Sequence, residues 1–406
     1  MRGQSAVAHF TPLLHHNSPF PKADWPYSPQ PVNVAESRKV RVLCGMSGGV
    51  DSSATAALLL EQGFDVVGVT LKLWPQDCVS RAEDKCCGPQ AVMDARSVCH
   101  KLNIPYYLVD ESAEFQNRVI QYFADEYKAG RTPNPCVMCN QTLKFGTLIT
   151  RAKQLGAQYI ATGHFARLER TTEGRVLLKR GRDQRKDQSY FLFSLRQDQL
   201  AFSMFPLGEK TKADTREVAR ECQLKTADKE ESMEICFVPD NNYGNFLQQA
   251  KLVEKHRGEI VNLQGQVLGQ HDGIEFYTIG QRKGLGISSS RPLYVIELDA
   301  EHNRVIVGDE WALDRDEFTV ERCNWIPWDQ PPEHIEVTAK IRYNHPGTPA
   351  MITSLANGGA HVKLSIPQRA ITPGQACVFY QDDLVIGGGW ITRQHLDTAK
   401  EQPATS

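Results

Sequence analysis

The chain has 406 residues, a length that predicts two or three domains with room for buried cores. Hydrophobic residues make up 41% of it, but no run approaches the ~20 consecutive apolar positions of a membrane-spanning helix, so we expect no membrane partner. Lys and Arg number 46 against 48 Asp and Glu, so any contact with nucleic acid must come from local basic patches.

The two ends of the chain differ in composition from the rest. Residues 1–38 are rich in proline and lack hydrophobic periodicity, and we interpret them as a disordered extension or as the product of a misplaced start codon. A plastid transit peptide is the weaker alternative, because the segment has little Arg and no amphipathic stripe. Residues 394–406 are polar and predict a disordered tail.

Residues 39–201 alternate between strand-like and helix-like patterns. The strand VRVLCGM, a Gly turn, the helix SSATAALLLEQ and the strand DVVGVTLKL make one β-α-β unit. Further helical stripes separate the strands IPYYLV and YIATGH. This alternation predicts an α/β fold with a doubly wound parallel sheet, whose ligands bind outside the carboxyl ends of the strands.

The pattern changes after this region. Residues 202–309 begin with a polar segment that predicts a helix over DTREVARECQL and continue with short strands, and we interpret them as a small central domain. Residues 310–393 contain the apolar runs HIEVTAKIRY, HVKLSI and ACVFYQDDLVIGGGW, with turn residues between them. Short strands at this spacing predict a C-terminal β-barrel.

The eleven cysteines are an odd number, and no apolar secretory segment accompanies them. This favours thiols in a reducing compartment over a disulfide framework, so we predict a cytoplasmic protein. Five cysteines are interpreted as small buried hydrophobes: Cys44, Cys99, Cys222, Cys323 and Cys377.

The strongest local motif is the run from residue 45 to residue 53, between a predicted strand and a predicted helix. Its glycines let backbone N–H groups face an anion, Ser47 and Ser52 add hydroxyl donors, and the helix begins there with its positive dipole end. These features predict a phosphate site, and an ordinary Gly-rich turn is the alternative. The run lacks the Lys of a Walker loop and the spacing of a dinucleotide-binding loop.

A second motif places Cys136 and Cys139 at C-x-x-C spacing after two stiffening prolines, so that both sulfurs can reach one metal or each other. Alternatively, the two cysteines supply half of the ligands of a structural zinc site with four cysteines, although no second C-x-x-C occurs. Cys236 lies about a hundred residues downstream, between Ile235 and Phe237, where it is either a core residue or a third reactive thiol.

The glycine-rich run resembles the PP-loop of the N-type ATP pyrophosphatases, which activate a carbonyl oxygen by adenylation and release pyrophosphate. The resemblance implies that Asp51 helps to position Mg²⁺. It also implies that the phosphates of ATP bind at Gly45, Met46, Ser47, Gly48, Gly49, Val50, Asp51 and Ser52.

The PP-loop, NPCVMCN, ATGHFAR, KDQSYFL, ICF, GQRKGLG and TPGQACVFY occur together in this order. From residue 40 to residue 392 this array resembles the bacterial tRNA-specific 2-thiouridylases. The resemblance implies that the C2 oxygen of a wobble uridine in tRNA is adenylated. Sulfur from a persulfide then replaces that oxygen, giving 2-thiouridine, AMP and pyrophosphate.

The same resemblance implies roles for single residues. Cys139 is the nucleophile and Cys236 carries the persulfide, while Leu71 and Gly163 line the adenosine pocket. The partners implied are tRNA, bound in part by the C-terminal barrel, and a persulfide donor or relay protein.

Further residues are implied to touch the RNA. Asn134, Pro135 and Cys136 meet the target base. The other implied tRNA contacts are His164, Lys186, Asp187, Gln188, Arg342, Tyr343 and Gln375. Lys186 also belongs to a basic run. Such a run is usually a solvated loop, but the PP-loop and the thiols elsewhere in the chain favour phosphate contacts here.

Cys136 departs from the family pattern, in which many members carry Asp. The extra thiol leaves open a second mechanism, in which Cys136, Cys139 and Cys236 hold three irons of a [4Fe–4S] cluster and the fourth iron binds hydrosulfide. The overall reaction is the same in both mechanisms.

Two other functions stay open from the residues alone. A PP-loop ligase acting on a small molecule would leave the cysteines incidental, and a non-catalytic RNA-binding metalloprotein would release no pyrophosphate. Three more cysteines, Cys78, Cys86 and Cys87, lie in a polar insertion. We interpret this insertion as a loop without catalytic function, with a sulfur-accepting or metal-binding loop as the alternative.

Overall fold

A computed structural model describes residues 39–73, 88–230, 235–238 and 242–392. The predicted extension at residues 1–38, the predicted tail at 394–406 and the insertion with Cys78, Cys86 and Cys87 lie outside these residues.

Parallel strands form the first sheet. They are β1 (Arg41–Gly45), β2 (Asp65–Lys72), β3 (Tyr106–Asp110), β4 (Tyr159–Ala161) and, later in the chain, β7 (Ser203–Met204), in the order β3-β2-β1-β4-β7. All pairings between these neighbours are parallel. Val42, Leu43 and Cys44 of β1 are fully buried, as expected for a sheet covered on both faces. The predicted α/β class is confirmed.

The strand order changes direction at β1. The chain places β2 and β3 on one side of β1, and β4 and β7 on the other. In an open parallel sheet, ligands bind at such a point, in the crevice outside the carboxyl ends of the two central strands. The loops after β1 and β4 border this crevice.

Helices connect these strands and continue into the rest of the chain. They are α1 (Val50–Glu61), α2 (Pro89–Lys101), α3 (Ser112–Phe115), α4 (Gln121–Lys128), α5 (Pro135–Cys139), α6 (Leu148–Gln154), α7 (Gln197–Ala201), α8 (Lys212–Glu221) and α9 (Tyr243–Gln249). A π-helical segment, Gln116–Ile120, joins α3 to α4, and another, Asn140–Thr147, joins α5 to α6. Short 3₁₀ turns occur at Ser189–Phe191, Ile274–Phe276 and Glu310–Leu313. Within the described ranges, no helix has the length and apolar content needed to cross a membrane.

A small mixed sheet follows α9. Its strands are β8 (Gly258–Asn262), β9 (Val267–His271), β10 (Tyr294–Asp299) and β11 (Arg304–Gly308), in the order β10-β11-β8-β9. Ile260, Val295 and Val305 are fully buried in its core.

The last strands form the predicted β-barrel. They are β12 (Asp314–Trp325), β13 (His334–Lys340), β14 (Thr348–Ser354), β15 (Ala360–Arg369), β16 (Ala376–Gln381) and β17 (Leu384–Ile391). The barrel closes because β12 pairs with both β15 and β17. Alternate side chains of these strands, among them Val362, Phe379 and Ile386, fill its interior.

A hairpin from the first region joins the barrel sheet. Its strands are β5 (Ala166–Arg170) and β6 (Val176–Arg180), and β6 pairs with β17 at Lys179 and Leu384. The Arg180 N–H donates to the carbonyl of Asp383 at 2.7 Å, and Arg167 forms an ion pair with the Asp383 carboxylate at 2.5 Å. These contacts fix the barrel to the segment that follows β4.

Candidate functional site

The loop after β1 turns sharply into α1 at the carboxyl edge of the parallel sheet. Gly48 has φ +74°, and a Cβ atom there would lie 2.1 Å from the carbonyl oxygen of Ala91, so only glycine fits. The Ser47 N–H donates to Ser52 Oγ at 3.1 Å, and Ser52 Oγ donates to the carbonyl of Gly49, also at 3.1 Å. The hydroxyls of the loop therefore hold its backbone in a tight turn around the first residues of α1.

The base of this loop is anchored to β2. The Met46 N–H donates to the carbonyl of Val69 at 2.8 Å, and Thr70 Oγ1 donates to the carbonyl of Met46 at 2.6 Å. Met46 and Val50 are both buried. The predicted phosphate residues thus form one continuous turn that starts where β1 ends at Gly45.

Gly163 follows β4 and lies against the start of α1. A Cβ atom at Gly163 would lie 2.8 Å from the carbonyl carbon of Asp51 and 3.0 Å from the backbone nitrogen of Ser52. Leu71 lies near the carboxyl end of β2 and is partly buried. Because β2 and β4 are the two neighbours of β1, the residues predicted to line the adenosine pocket border the loop on both sides.

Two lysines from the segment after β7 reach this loop. Lys212 Nζ lies 2.6 Å from Asp51 Oδ1, and Lys229 Nζ lies 3.1 Å from the carbonyl oxygen of Gly48 and 2.6 Å from Asp94 Oδ2. The Lys212 side chain is only 12% exposed, whereas the Asp51 side chain is 32% exposed. The structure therefore adds two cations to a loop that has none in its own sequence.

Sequence reasoning did not identify Lys212 or Lys229. A polar, helix-prone segment contains many lysines, and their spacing does not tell which of them face inward. One local signal was available: Thr211 caps α8 by accepting from the Asp214 N–H at 3.2 Å. This cap predicts that Lys212 is the first residue of the helix, but not that its side chain meets the β1 loop.

The C-x-x-C motif forms the short helix α5 and its continuation. Asn134 is the N-cap, and its side-chain oxygen accepts from the Val137 N–H at 3.3 Å, with Pro135 as the first helical residue. Asn134, Pro135 and Cys139 are buried, and Cys136 is half-buried. The helix therefore fixes the backbone that carries both thiols.

Cys139 and Cys236 belong to one apolar cluster. Cys139 is 7% exposed within it, and the partly buried Cys236 packs against it. Phe237, the next residue, makes edge contacts with Phe115 and Phe123, with ring centres 5.7 and 5.0 Å apart. The segment with Cys236 is thus anchored by an aromatic side chain, and two thiols that are distant in sequence share one environment.

The same cluster includes Leu71 and Leu73, which belong to the carboxyl end of β2 and the residues just beyond it. The thiols therefore lie on the side of the sheet where the β1 loop lies. Within the described ranges, no three side chains of His, Cys, Asp or Glu are grouped to hold a metal ion. The zinc and iron–sulfur alternatives stay predictions.

Gln375, a predicted tRNA contact, supports the approach to α5. Its Nε2 donates to the carbonyls of Thr132 and Pro133 at 3.2 and 3.1 Å, and the Thr132 N–H donates to the carbonyl of Pro373 at 2.8 Å. A loop of the barrel therefore braces the backbone just before Asn134.

The other predicted RNA-contacting segments come together beside the β5–β6 hairpin. The buried Asp187 carboxylate accepts from the N–H groups of Gly181 and Ser189, both at 3.1 Å. The ring of Tyr343 lies 4.5 Å from that of Phe191. The segments 186–188 and 342–343 are thus neighbours, although more than 150 residues separate them.

Cations and aromatic rings border these two segments. The Arg180 guanidinium lies 3.7 Å from the centre of the Tyr380 ring, and Lys340 Nζ lies 5.8 Å from the centre of the Tyr343 ring. Burial, and then the nearby Arg180, lower the pKa of Lys340. Arg342 is exposed, Lys186 is half-buried, and Gln188 Oε1 accepts from the Phe165 N–H at 3.0 Å.

His164 is buried next to Gly163. Its Nδ1 lies 2.7 Å from Thr162 Oγ1, and its ring packs near Phe145 and Phe205. Burial, with a smaller effect from Lys144, holds its pKa well below the usual value, so the ring is neutral at pH 7. These contacts are those of a residue that shapes the turn after β4, and the predicted contact with tRNA stays a prediction.

Five of the cysteines that the structure describes lie outside the site, and burial raises the pKa of each of these thiols. Cys44, Cys99 and Cys377 are buried, and burial raises the pKa of Cys99 and Cys323 to about 12. Their thiols therefore stay protonated near neutral pH. Cys222, at the end of α8, is half-buried, and burial also raises its pKa.

Three family models match consecutive parts of the chain. They are described as "tRNA methyl transferase HUP domain" over residues 40–240, "tRNA methyl transferase PRC-barrel domain" over 244–309, and "Aminomethyltransferase beta-barrel domain" over 315–391.

The chain aligns with curated relatives over nearly the whole length of those relatives. The tRNA-specific 2-thiouridylase MnmA of Moorella thermoacetica is 50% identical over 351 residues, which are 86% of this chain and 98% of the relative. The protein of the same name from Heliobacterium modesticaldum is 49% identical over 87% of this chain and 93% of its own. A solved 4-thiouridine synthetase–RNA complex with bound ATP aligns with 52% of this chain and 51% of its own, at 18% identity and a TM-score of 0.35.

Replacing Gly163 by Ala should lower both the melting temperature and the affinity for ATP. The added methyl group would have to displace the first residues of α1, and overpacking of this kind costs about 1–3 kcal/mol. Thermal unfolding and equilibrium binding of ATP measure the two effects. Gly146→Ala is the matched control, because the nearest heavy atom to its Cβ, the carbonyl oxygen of Gln141, lies 3.5 Å away. Wild-type values for both variants would contradict the close contact at Gly163.

Proposed function

The chain belongs to the family of tRNA-specific 2-thiouridylases, and we propose that it is an ATP-dependent enzyme that replaces the C2 oxygen of the wobble uridine in tRNA by sulfur from a protein persulfide. One observation carries this proposal: a loop suited to bind phosphate and two thiols from distant segments lie on the carboxyl side of one parallel sheet.

The first step makes the C2 oxygen able to leave. This oxygen attacks the α-phosphorus of ATP, an oxygen–phosphorus bond forms, and the bond from the α-phosphorus to its bridging oxygen breaks. Pyrophosphate leaves with that electron pair, and the N3 proton of the base passes to solvent. Backbone N–H groups of the β1 loop and the start of α1 are suited to stabilise the phosphate charge.

Asp51 is the residue that we propose for Mg²⁺. Its carboxylate lies in the first turn of α1 and is 32% exposed, and carboxylate oxygens are ligands that Mg²⁺ prefers. When bound, the ion would neutralise phosphate charge. The residues present therefore fit the ion.

The second step transfers sulfur. The terminal sulfur of a persulfide on Cys236 attacks C2, and AMP leaves with the electron pair of the C2–oxygen bond. The Cys139 thiolate then attacks the Cys236 sulfur, so that a Cys139–Cys236 disulfide forms and the 2-thiouridine leaves with the electron pair of the broken S–S bond. A thiol reductant afterwards supplies two electrons to restore both cysteines.

The apolar cluster around Cys139 and Cys236 suits this step. Water competes with sulfur for an activated C2 carbon, and a site lined by aromatic and aliphatic side chains reduces its access. Phe237 anchors the Cys236 segment in that cluster. A transfer between the two thiols requires their sulfur atoms to come into contact, and both cysteines belong to this one cluster.

Binding of tRNA is proposed for the face formed by the segments 186–188 and 342–343. Arg180, Lys340 and Arg342 place positive charge there, and Tyr343 offers an aromatic ring. Phosphate contacts at this face would hold the tRNA while the target base reaches α5. Asp187 and Gln188 are interpreted as residues that shape this face, since both make hydrogen bonds within the protein.

Replacing either Cys139 or Cys236 by Ser should stop thiolation without stopping adenylation. We expect the first-turnover release of pyrophosphate to persist and 2-thiouridine to fall at least ~100-fold, because each thiol acts only in sulfur transfer. Both products are measured after mixing enzyme, ATP, tRNA and a persulfide donor. Loss of pyrophosphate release together with thiolation would contradict the division into two steps.

Cys136→Ser separates the persulfide mechanism, in which only Cys139 and Cys236 act, from the iron–sulfur alternative. The persulfide mechanism predicts a colourless enzyme that keeps thiolation within a few-fold when Cys136 is replaced. A cluster predicts visible absorption after anaerobic purification and loss of activity in all three single variants. Cys222→Ser is the matched control, because Cys222 is also half-buried but lies at the end of α8.

Replacing Lys186 or Arg342 by Ala should weaken tRNA binding and reduce its dependence on salt. Each lost phosphate contact lowers the slope of log affinity against log salt by about 0.7–0.9. Lys153→Ala is the control. Lys153 is an exposed lysine near the end of α6, where the carbonyl of Leu155 accepts a hydrogen bond from Arg41 at the amino end of β1. A slope equal to that of the wild type in both variants would place the RNA elsewhere.

A further inference from the structure

The β1 loop lacks a cation in its own sequence, and two lysines from elsewhere supply one each. No Lys or Arg occurs between residues 45 and 53. In Walker-type loops a lysine within the motif reaches the terminal phosphates of the nucleotide. Here Lys212, the first residue of α8, and Lys229, which follows α8 in the chain, both reach the loop.

Lys212 lies in a place that favours an anion. The N-terminal end of α1 carries partial positive charge, and the Lys212 ammonium adds a full charge 2.6 Å from Asp51 in its first turn. The Lys212 side chain is 12% exposed, so its charge is largely removed from water. In the structure this charge pairs with Asp51 and also lies 5.6 Å from the centre of the Phe165 ring.

A purely structural role would not need these charges. The ion pair is partly exposed, since the Asp51 side chain is 32% exposed, and ion pairs near the surface contribute little to stability. Stability alone therefore does not require lysine at position 212. The chemistry of the loop gives a better reason, since its ligand carries several negative charges on its β- and γ-phosphates.

We propose that Lys212 is a phosphate-binding residue of the ATP site, which exchanges Asp51 for the β- and γ-phosphate oxygens when ATP and Mg²⁺ bind. This inference rests on the proposed function of the loop. If Asp51 Oδ1 turns to Mg²⁺, the ammonium that lies 2.6 Å from it would face a divalent cation at close range. Movement of the flexible lysine stem towards phosphate removes this repulsion and keeps the ammonium paired.

Lys229 has a different part in the same arrangement. It donates to the carbonyl of Gly48 and pairs with Asp94 on α2, so it holds a backbone carbonyl whose negative end would otherwise oppose a phosphate. Lys229 is a positioning residue, because it acts on the shape of the loop. Its loss should therefore affect every nucleotide that uses the loop.

The experiment compares ATP with AMP, which lacks the phosphates assigned to Lys212. Binding of each nucleotide with Mg²⁺ is measured by calorimetry on the full chain carrying Lys212→Met. We expect ATP affinity to fall about 10-fold or more, as for a lost hydrogen bond between charged groups, and AMP affinity to stay within about 2-fold. Lys229→Met should weaken both nucleotides by similar factors.

Controls separate this inference from folding and from the proposed function. Lys225→Met replaces an exposed lysine of the same segment and should leave both affinities unchanged. Melting temperatures report folding, and Lys212→Gln replaces Lys212→Met if that variant unfolds. Equal weakening of ATP and AMP, or no weakening of ATP, would overturn the role of Lys212. Failure of the wild type to release pyrophosphate with tRNA would instead reject the proposed function.

Discussion

The C2 oxygen of uracil cannot leave as oxide, and this constraint determines how the site must be built. In the proposed reaction the oxygen is bonded to phosphorus first, so a phosphate site and a sulfur source must act on the same carbon atom. In the structure the loop after β1 and the cluster with Cys139 and Cys236 lie on one side of the parallel sheet, which is the arrangement that the proposed reaction needs. Gly48 and Gly163 lack side chains, so the backbone at each can pack closely against neighbouring backbone and keep the loop compact.

The rest of the chain supports this arrangement from a distance. The β5–β6 hairpin joins the barrel sheet, and Gln375 of the barrel braces the backbone before Asn134. A barrel that binds tRNA would therefore be connected directly to the helix with Cys139. In the proposed mechanism, substrate binding, phosphate binding and sulfur transfer depend on contacts between segments that are far apart in sequence.

Sequence patterns predicted the elements that have strong local signals. Alternating apolar runs predicted the parallel sheet, and the glycine-rich run predicted the turn into α1, both of which the structure contains. The β5–β6 hairpin was missed because its short strands carry Arg and Glu and resemble a polar loop. Lys212 and Lys229 were missed because their pairing with the loop is purely tertiary. The boundaries after residues 201 and 309, and the roles of single site residues, stay predictions.

The fate of the uridine oxygen tests the central claim most directly. A tRNA carrying ¹⁸O at C2 of the wobble uridine is converted in a single turnover with unlabelled ATP, and the products are analysed by mass spectrometry. Adenylation before sulfur transfer predicts one ¹⁸O atom in each AMP formed, in equal amount to the 2-thiouridine. Label in water or pyrophosphate, with none in AMP, would contradict it.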